Sequence, residues 1–325
     1  MTLMKLAQLA GVSVGTVSKA FSGSREIGDE TRERIFTLAK EQGCFDKYYK
    51  NPRKRPLIAL VFPEPESEFY GRMIGVFERV LNERGADTVI AFSRFDAERE
   101  AELFREFAYG MRVNGVIVVG SGSLIRNPEN IPLITFSNQE YRNANADVVR
   151  INFDGAIETL LQTVKDFGHT EIGFLGERLT KGKEQSFRKA LRKIGLRVSD
   201  ESIYESDKRF MEAGEDGMRA LIARGCLPSV IVAAYDQIAY GAMKIAQAEG
   251  YRVPEDISFV GMDDISSTPY LGVPLASLHV DFEQACREIA ELIFKRMDVR
   301  YYRERNRIVV PVKVVVRESL GRIGQ

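Results

Sequence analysis

Apolar residues near the start of the chain recur at helical spacing. Leu6, Ala7, Leu9 and Ala10 share one face of a short helix, and Gly11 supplies a residue that tolerates φ > 0 and can close it. Ser13 restarts the chain as an N-cap. A second helix follows in which Val14, Val17, Ala20 and Phe21 face inward, leaving Gly15, Thr16, Ser18 and Lys19 toward solvent. A third helix starts near Asp29, buries Ile35, Phe36, Leu38 and Ala39, and ends at Gly43. Two helices joined by so short a turn make either a hairpin in a small bundle or a helix-turn-helix, whose second helix presents its N-terminal side chains to base edges in the major groove.

The pattern changes at Leu57, where apolar β-type runs begin to alternate with amphipathic helical stretches. LIALVF precedes a helix over Phe69 to Arg84, DTVIAF a helix over Ala97 to Tyr109, and GVIVVG and PLITF follow. DVVRI, EIGFLG, SVIVAAY and DISFVGM continue the series, interleaved with helices over Gly155 to Phe167, Lys183 to Ile194, Phe210 to Arg224 and Asp236 to Glu249. Strands this continuously apolar are buried on both faces, which predicts parallel sheets covered by helices. The body is too long for one such sheet. The predicted architecture is an all-α helix-turn-helix headpiece (1–43), a polar linker (44–56) broken by two prolines, and an α/β body (57–325) of two doubly wound parallel-sheet subdomains with a ligand cleft between them.

Charge sharpens the division. Residues 1–56 hold 11 Lys and Arg against 6 Asp and Glu, while the whole chain of 325 residues balances 46 against 46. A basic front on a weakly acidic body suits phosphate binding by one end. Cys44, Cys226 and Cys286 are far apart with no CxxC pair, and only His169 and His279 offer imidazoles, so neither a disulfide framework nor a zinc site is expected. With no signal-peptide pattern and no apolar run of about 18 residues, the cytoplasm is the expected compartment and no membrane contact is expected.

The order of landmarks resembles the lactose-repressor/galactose-repressor family of bacterial transcription regulators. They are LAGVSVGTVSKAF, DETRERI, IALVFP with Phe69 and Tyr70 beyond it, FGHTEIGFLG, YDQIAYGAM, VPEDISFVGMDD and a closing VVVRESLG. The resemblance covers nearly the whole chain and implies two periplasmic-binding-protein-like subdomains behind the headpiece. It also implies that Val14, Gly15, Thr16, Ser18 and Lys19 form the DNA-reading surface. Lys19 can donate to guanine O6 and N7, and Thr16 and Ser18 suit phosphates. Ser13, Ser22, Ser24 and Thr31 are secondary phosphate candidates, each with local capping as the alternative. Gly15 stands where the family usually carries a side chain able to touch DNA.

The linker departs further from the family pattern. Members of the family usually carry there a hinge that folds on the operator and wedges a leucine into the minor groove. Residues 44–56 contain no leucine and no alanine, so Arg53, Lys54 and Arg55, with Lys50, are candidates for backbone or minor-groove contacts, against a solvated basic linker.

Matching positions for a small-molecule effector are Phe69, Tyr70, Asp154, Lys183, Arg209 or Phe210, Tyr235, Asp236 and Asp263. Carboxylates accept from paired hydroxyls, cations fix ring oxygens and an aromatic face covers a sugar. Competing structural roles are core packing for Phe69 and helix capping for Asp236. Lys183 replaces the usual arginine and loses its bidentate fork; Tyr235 replaces a frequent asparagine. The resemblance implies a ligand-responsive repressor, homodimeric on a pseudo-palindromic operator in double-stranded DNA, sensing a sugar or sugar derivative. A nucleobase corepressor and a solute-binding protein are the alternatives. No cofactor and no enzyme activity are expected, because no Walker loop, GxSxG elbow or GxGxxG after the first strand is present, and Gly120 to Asn127 is too irregular for a phosphate cradle.

Overall fold

Local signals set the N-terminal helices. Thr2 Oγ1 accepts the Lys5 N–H at 3.3 Å and starts α1 (Leu3–Ala10). Gly11, left-handed at φ 63°, ends it, and the Val12 N–H returns to the Ala7 carbonyl at 3.0 Å. Ser13 Oγ accepts the Thr16 N–H at 3.0 Å and starts α2 (Val14–Phe21). In this computed structural model, residues 1–22, 24, 26–49, 55–120, 124–127, 131–136, 146–225, 227–298 and 306–323 are described. With α3 (Asp29–Glu41), these helices bury Leu6, Val17, Ile35 and Phe36 in one core. Two expectations are corrected. Leu9 is 49% exposed and Val14 is 42% exposed, because each lies beside the buried stripe of its short helix and not on it.

The headpiece also extends past its expected end at Gly43. Cys44 is buried, and α4 (Phe45–Tyr48) folds back, with the Phe45 ring edge-on to Phe36 at 5.3 Å and Tyr48 at 5.8 Å from Phe21. The Tyr48 hydroxyl donates to the Met1 carbonyl at 2.8 Å. The aromatic residues in this polar segment join the core, so residues 44–49 are headpiece and not linker.

Two compact units divide the described chain: Met1–Arg150 with Phe282–Val309, and Ile151–Asp281 with Val310–Gln325. In the first unit, β1 (Leu57–Phe62), β2 (Asp87–Phe92), β3 (Gly115–Val119), β4 (Leu133–Phe136) and β5 (Asp147–Ile151) run parallel in the order β2-β1-β3-β4-β5. α5 (Glu68–Glu83) and α6 (Ala97–Arg105), which continues as a π-helical turn over Glu106–Met111, supply crossovers. β1 and β3 are buried at every position. β2 is the edge strand and only partly covered, a departure from the expected burial on both faces. The chain re-enters as α11 (Phe282–Met297), and Arg296 then donates through Nε and Nη2 to the buried Asp147, each at 2.5 Å.

The second unit opens with α7 (Phe153–Asp166). Its parallel sheet, β7-β6-β8-β9, is built from β6 (Ile172–Glu177), β7 (Ile203–Ser206), β8 (Val230–Ala233) and β9 (Ser258–Val260). α8 (Lys181–Lys193), α9 (Phe210–Arg224) and α10 (Asp236–Ala248) connect the strands. β10 (Ser277–Val280) pairs antiparallel with β12 (Val312–Val315), whereas β11 (Arg307–Val310) borders β5 as the sixth strand of the first unit's sheet. β7 has no counterpart in the sequence reading, since IYES is a short half-buried edge.

Close helix packing shapes this unit's strand ends. A Cβ on Gly214 of α9 would lie 1.9 Å from the Ile238 carbonyl oxygen, and one on Gly241 of α10 would lie 1.9 Å from that of Met211. The two backbones therefore touch, which brings Phe210 and Tyr235, at the two helix starts, side by side.

Candidate functional site

The DNA-facing candidates gather around α2. Ser13 is its N-cap, and the Ser13 and Thr16 hydroxyls lie 2.9 Å apart. Val14, Gly15, Ser18 and Lys19 are exposed, Thr16 is half-buried, and Ser22 Oγ donates to the Lys19 carbonyl at 3.0 Å. Ser24 accepts the Glu26 N–H at 3.3 Å, and Thr31 is half-buried on α3. The Lys19 ammonium is ion-paired with Glu26, a residue absent from the sequence reading. Both side chains are well exposed, so solvent screens the pair and a phosphate or base edge competes with it directly.

Arg55 does not serve as expected. Its guanidinium donates to the Gly85 carbonyl at 3.0 Å, Asn82 Oδ1 at 2.7 Å and the Ala86 carbonyl at 3.0 Å, and it pairs with Asp87 at 3.2 Å. Those carbonyls lie just beyond α5, where orphan acceptors and the helix dipole favour a cation, so Arg55 fastens the start of β1. Arg53 and Lys54 fall outside the described residues.

Seven of the nine effector candidates fall within the second unit, near the ends of its strands and the starts of its helices. Lys183 Nζ donates to the Ala234 carbonyl at 2.7 Å and to Asp263 Oδ1 at 3.2 Å, and it stands 4.9 Å over the Phe153 ring. Burial pushes the Asp263 carboxyl up to about 6 against the opposing pull of Lys183. Asp263 also holds φ 112° and Phe210 holds φ 54°, conformations that ordinary side chains seldom adopt and that cluster where function demands them. The Tyr235 hydroxyl accepts the Phe210 N–H at 2.9 Å, and burial raises its pKa. Arg209 lies 4.5 Å over the Phe210 ring.

Asp236 leaves the candidate set. It is 1% exposed, its Oδ1 accepts from Ser277 Oγ at 2.6 Å and its Oδ2 accepts the Ile265 N–H at 2.8 Å. Burial, reinforced by the neighbouring Asp263 charge, holds its carboxyl well above the usual range. It is a structural tie between α10, β10 and the segment after β9. It makes no side-chain cap either, so the competing sequence reading falls with the functional one.

Asp154 stands apart from the Lys183 pair at the seam of α7 and α8. Its side chain is 66% exposed, accepts from Ser186 Oγ at 2.5 Å and lies 3.9 Å from Lys189. Phe69 and Tyr70 belong to the first unit, where Phe69 packs edge-on against Phe282 at 4.7 Å and Tyr70 lies 6.3 Å from Phe62. Sequence reasoning missed Glu177, a buried carboxylate at the end of β6 that lies 3.6 Å from Arg209 Nε. The signal was present: EIGFLGE ends an apolar strand in an acid, as DISFVGMDD places Asp263 just beyond another.

Among the described residues no helix is long and apolar enough to cross a membrane, and no group of three or more His, Cys, Asp and Glu side chains is placed to hold a metal. Comparison with known proteins adds identity. Residues 2–43 match the profile of bacterial regulatory proteins of the lacI family, and residues 161–320 match a periplasmic binding protein-like domain. The HTH-type transcriptional repressor PurR of Mannheimia succiniciproducens is 26% identical over 336 residues, covering 99% of each chain. A transcriptional regulator CelR solved with cellobiose is 27% identical at a TM-score of 0.66, covering 98% of this chain and 99% of that one. The Lac repressor dimer solved on operator shares the fold at a TM-score of 0.72 and 19% identity, covering 99% of each. With the helix-turn-helix, the two parallel-sheet units and these relatives all in agreement, the chain belongs to the lacI family of bacterial regulatory proteins and is a DNA-binding transcriptional regulator.

Proposed function

We propose that this regulator is a homodimeric repressor whose operator affinity is set by a small polyhydroxylated effector, a sugar or sugar derivative, bound at the strand ends of the second unit. The reading rests on the Lys183–Asp263 pair at 3.2 Å, which presents a cation and a carboxylate with little exposure beside the aromatic residues Phe153, Phe210 and Tyr235. Such a set matches a sugar's alternation of hydroxyl donors, ring oxygens and apolar faces. The solved CelR complex with cellobiose supports the ligand class. α2 reads DNA through Lys19, Thr16 and Ser18, with two headpieces needed to cover a two-fold site. The cytoplasm is the proposed compartment, where a regulator meets its operator.

Replacing Lys183 or Asp263 by Ala separates the two activities. Each variant should bind operator as the wild type does without effector, yet lose about 10- to 150-fold in effector affinity, the usual penalty for a charge-assisted hydrogen bond. Calorimetric titration beside gel-shift assays measures both. Normal effector binding in either variant would remove that residue from the site.

A further inference from the structure

One buried charge beside these groups has a function that capping does not exhaust. Glu177, 2% exposed, opens a short 3₁₀ turn over Arg178–Thr180. Its Oε2 accepts the Leu179 N–H at 2.9 Å, and its own N–H donates to Thr180 Oγ1 at 2.9 Å. The cap consumes one carboxylate oxygen. Oε1 is buried and receives no hydrogen bond, since Arg209 Nε stands 3.6 Å away, in ionic contact but beyond hydrogen-bond reach. Buried acceptors left in this state are uncommon and costly, and a further donor, from solvent or from a ligand, would complete this one. The Arg209 side chain is a third exposed and lies against Phe210, while Glu177 is held in place by its cap. Glu177, Arg209 and Asp263 all act electrostatically on the Tyr235 hydroxyl, which joins them into one cluster with Lys183.

We propose that Glu177 is a specificity-determining residue of the effector site, its Oε1 accepting a hydroxyl from an uncharged polyhydroxylated ligand, and that its charge rejects phosphorylated ones. The proposal rests on the effector reading above and deepens it. Lys183 is matched by Asp263 and Arg209 by Glu177, one cation to each carboxylate. A phosphate entering this set finds no surplus cation and meets a carboxylate that cannot withdraw, whereas a neutral hydroxyl supplies the missing donor. Discrimination of this kind needs a repulsive element as well as an attractive one, and Glu177 supplies both.

The test is calorimetric titration of the full-length chain with D-glucose, D-ribose and cellobiose, and with D-glucose 6-phosphate and D-ribose 5-phosphate, for the wild type and Glu177→Gln. Glutamine keeps an acceptor for the Leu179 N–H while removing the charge. The wild type should bind at least one neutral sugar at least tenfold more tightly than either phosphate. Glu177→Gln should weaken that sugar about ten- to a hundredfold, narrow the sugar-to-phosphate ratio and leave unliganded melting unchanged. Unaltered sugar affinity in the variant, a wild-type preference for a phosphate, or an equal loss on sugars and phosphates would each overturn the assignment. Were Glu177→Gln to melt early, Glu177→Asp, which keeps the charge but withdraws it by one methylene, should lose sugar affinity and keep the rejection of phosphates; retained affinity there also overturns the proposal. A wild type that binds no neutral sugar refutes the effector reading itself, and the role of Glu177 with it.

Discussion

The recognition helix and the strand-end cluster of the second unit hold their functional groups in opposite ways. On α2 the candidate side chains are near neighbours in sequence, most of them exposed, and the charged one, Lys19, is held only by a solvent-screened partner. In the cluster, Glu177, Lys183, Arg209, Tyr235 and Asp263 come from five separate stretches and are largely withdrawn from water. A surface that must fit a large, charged, hydrated polymer gains from free side chains on a rigid helix. A site that must tell one small molecule from another gains from charges already desolvated and aimed, because reorganisation would consume the binding energy. The headpiece is thus preorganised by its backbone, and the effector cluster by its packing.

The most severe way to break this contrast is to move the helices that build the cluster. Gly214→Leu places a side chain where the Ile238 carbonyl already stands, so it should destabilise the second unit by about 3 kcal/mol or more. Effector binding should disappear while the headpiece of the variant stays folded, since its core is made of its own residues. Calorimetric melting checks it: an unchanged transition would mean that α9 and α10 do not meet at their backbones.

A smaller effect probes the exposed surface. Lys19→Ala should cost about 1–3 kcal/mol on operator and much less on random DNA, because a base-reading contact is lost only where the base is right. Glu26→Gln should act in the opposite sense and by less, since it frees Lys19 from a weak exposed pair. Equal losses for Lys19→Ala on both DNAs would make Lys19 a phosphate contact.

The smallest effect comes from acidity in the buried cluster. The Asp263 carboxyl, raised to about 6 by burial, takes up a proton in the folded state at a pH where the unfolded chain is still ionised. Its contribution to stability is therefore present at low pH and lost as pH rises through about 6. Effector binding runs the other way, because it uses the ionised pair with Lys183: affinity should fall, by at most tenfold per pH unit, as pH drops below about 6. Titration at several pH values measures this, and Asp263→Asn should abolish the dependence. A flat profile in the wild type would show that the ligand does not use the charge on Asp263.

The sequence by itself determined the headpiece and the alternation of strands and helices, because those depend on neighbours within a few residues. Gly11, Ser13 and the apolar stripe through Leu6, Val17 and Ile35 act through local backbone geometry and period, and both are written in order along the chain. The lacI-type landmarks likewise located Lys183 and Asp263. Tertiary structure alone decided which charges meet. Asp236 and Asp263 both match effector positions, the first with helix capping as its competing role, yet Asp236 is consumed by Ser277 and Ile265 while Asp263 meets Lys183. Arg55 read as a linker charge until the carbonyls after α5 claimed it, and the aromatic rings after Gly43 read as linker until Phe21 and Phe36 covered them. The physical reason is the range of each interaction. Periodicity and capping act across one or two turns, whereas desolvation and ion pairing depend on what the whole fold brings within about 4 Å, a distance that no spacing along the chain encodes.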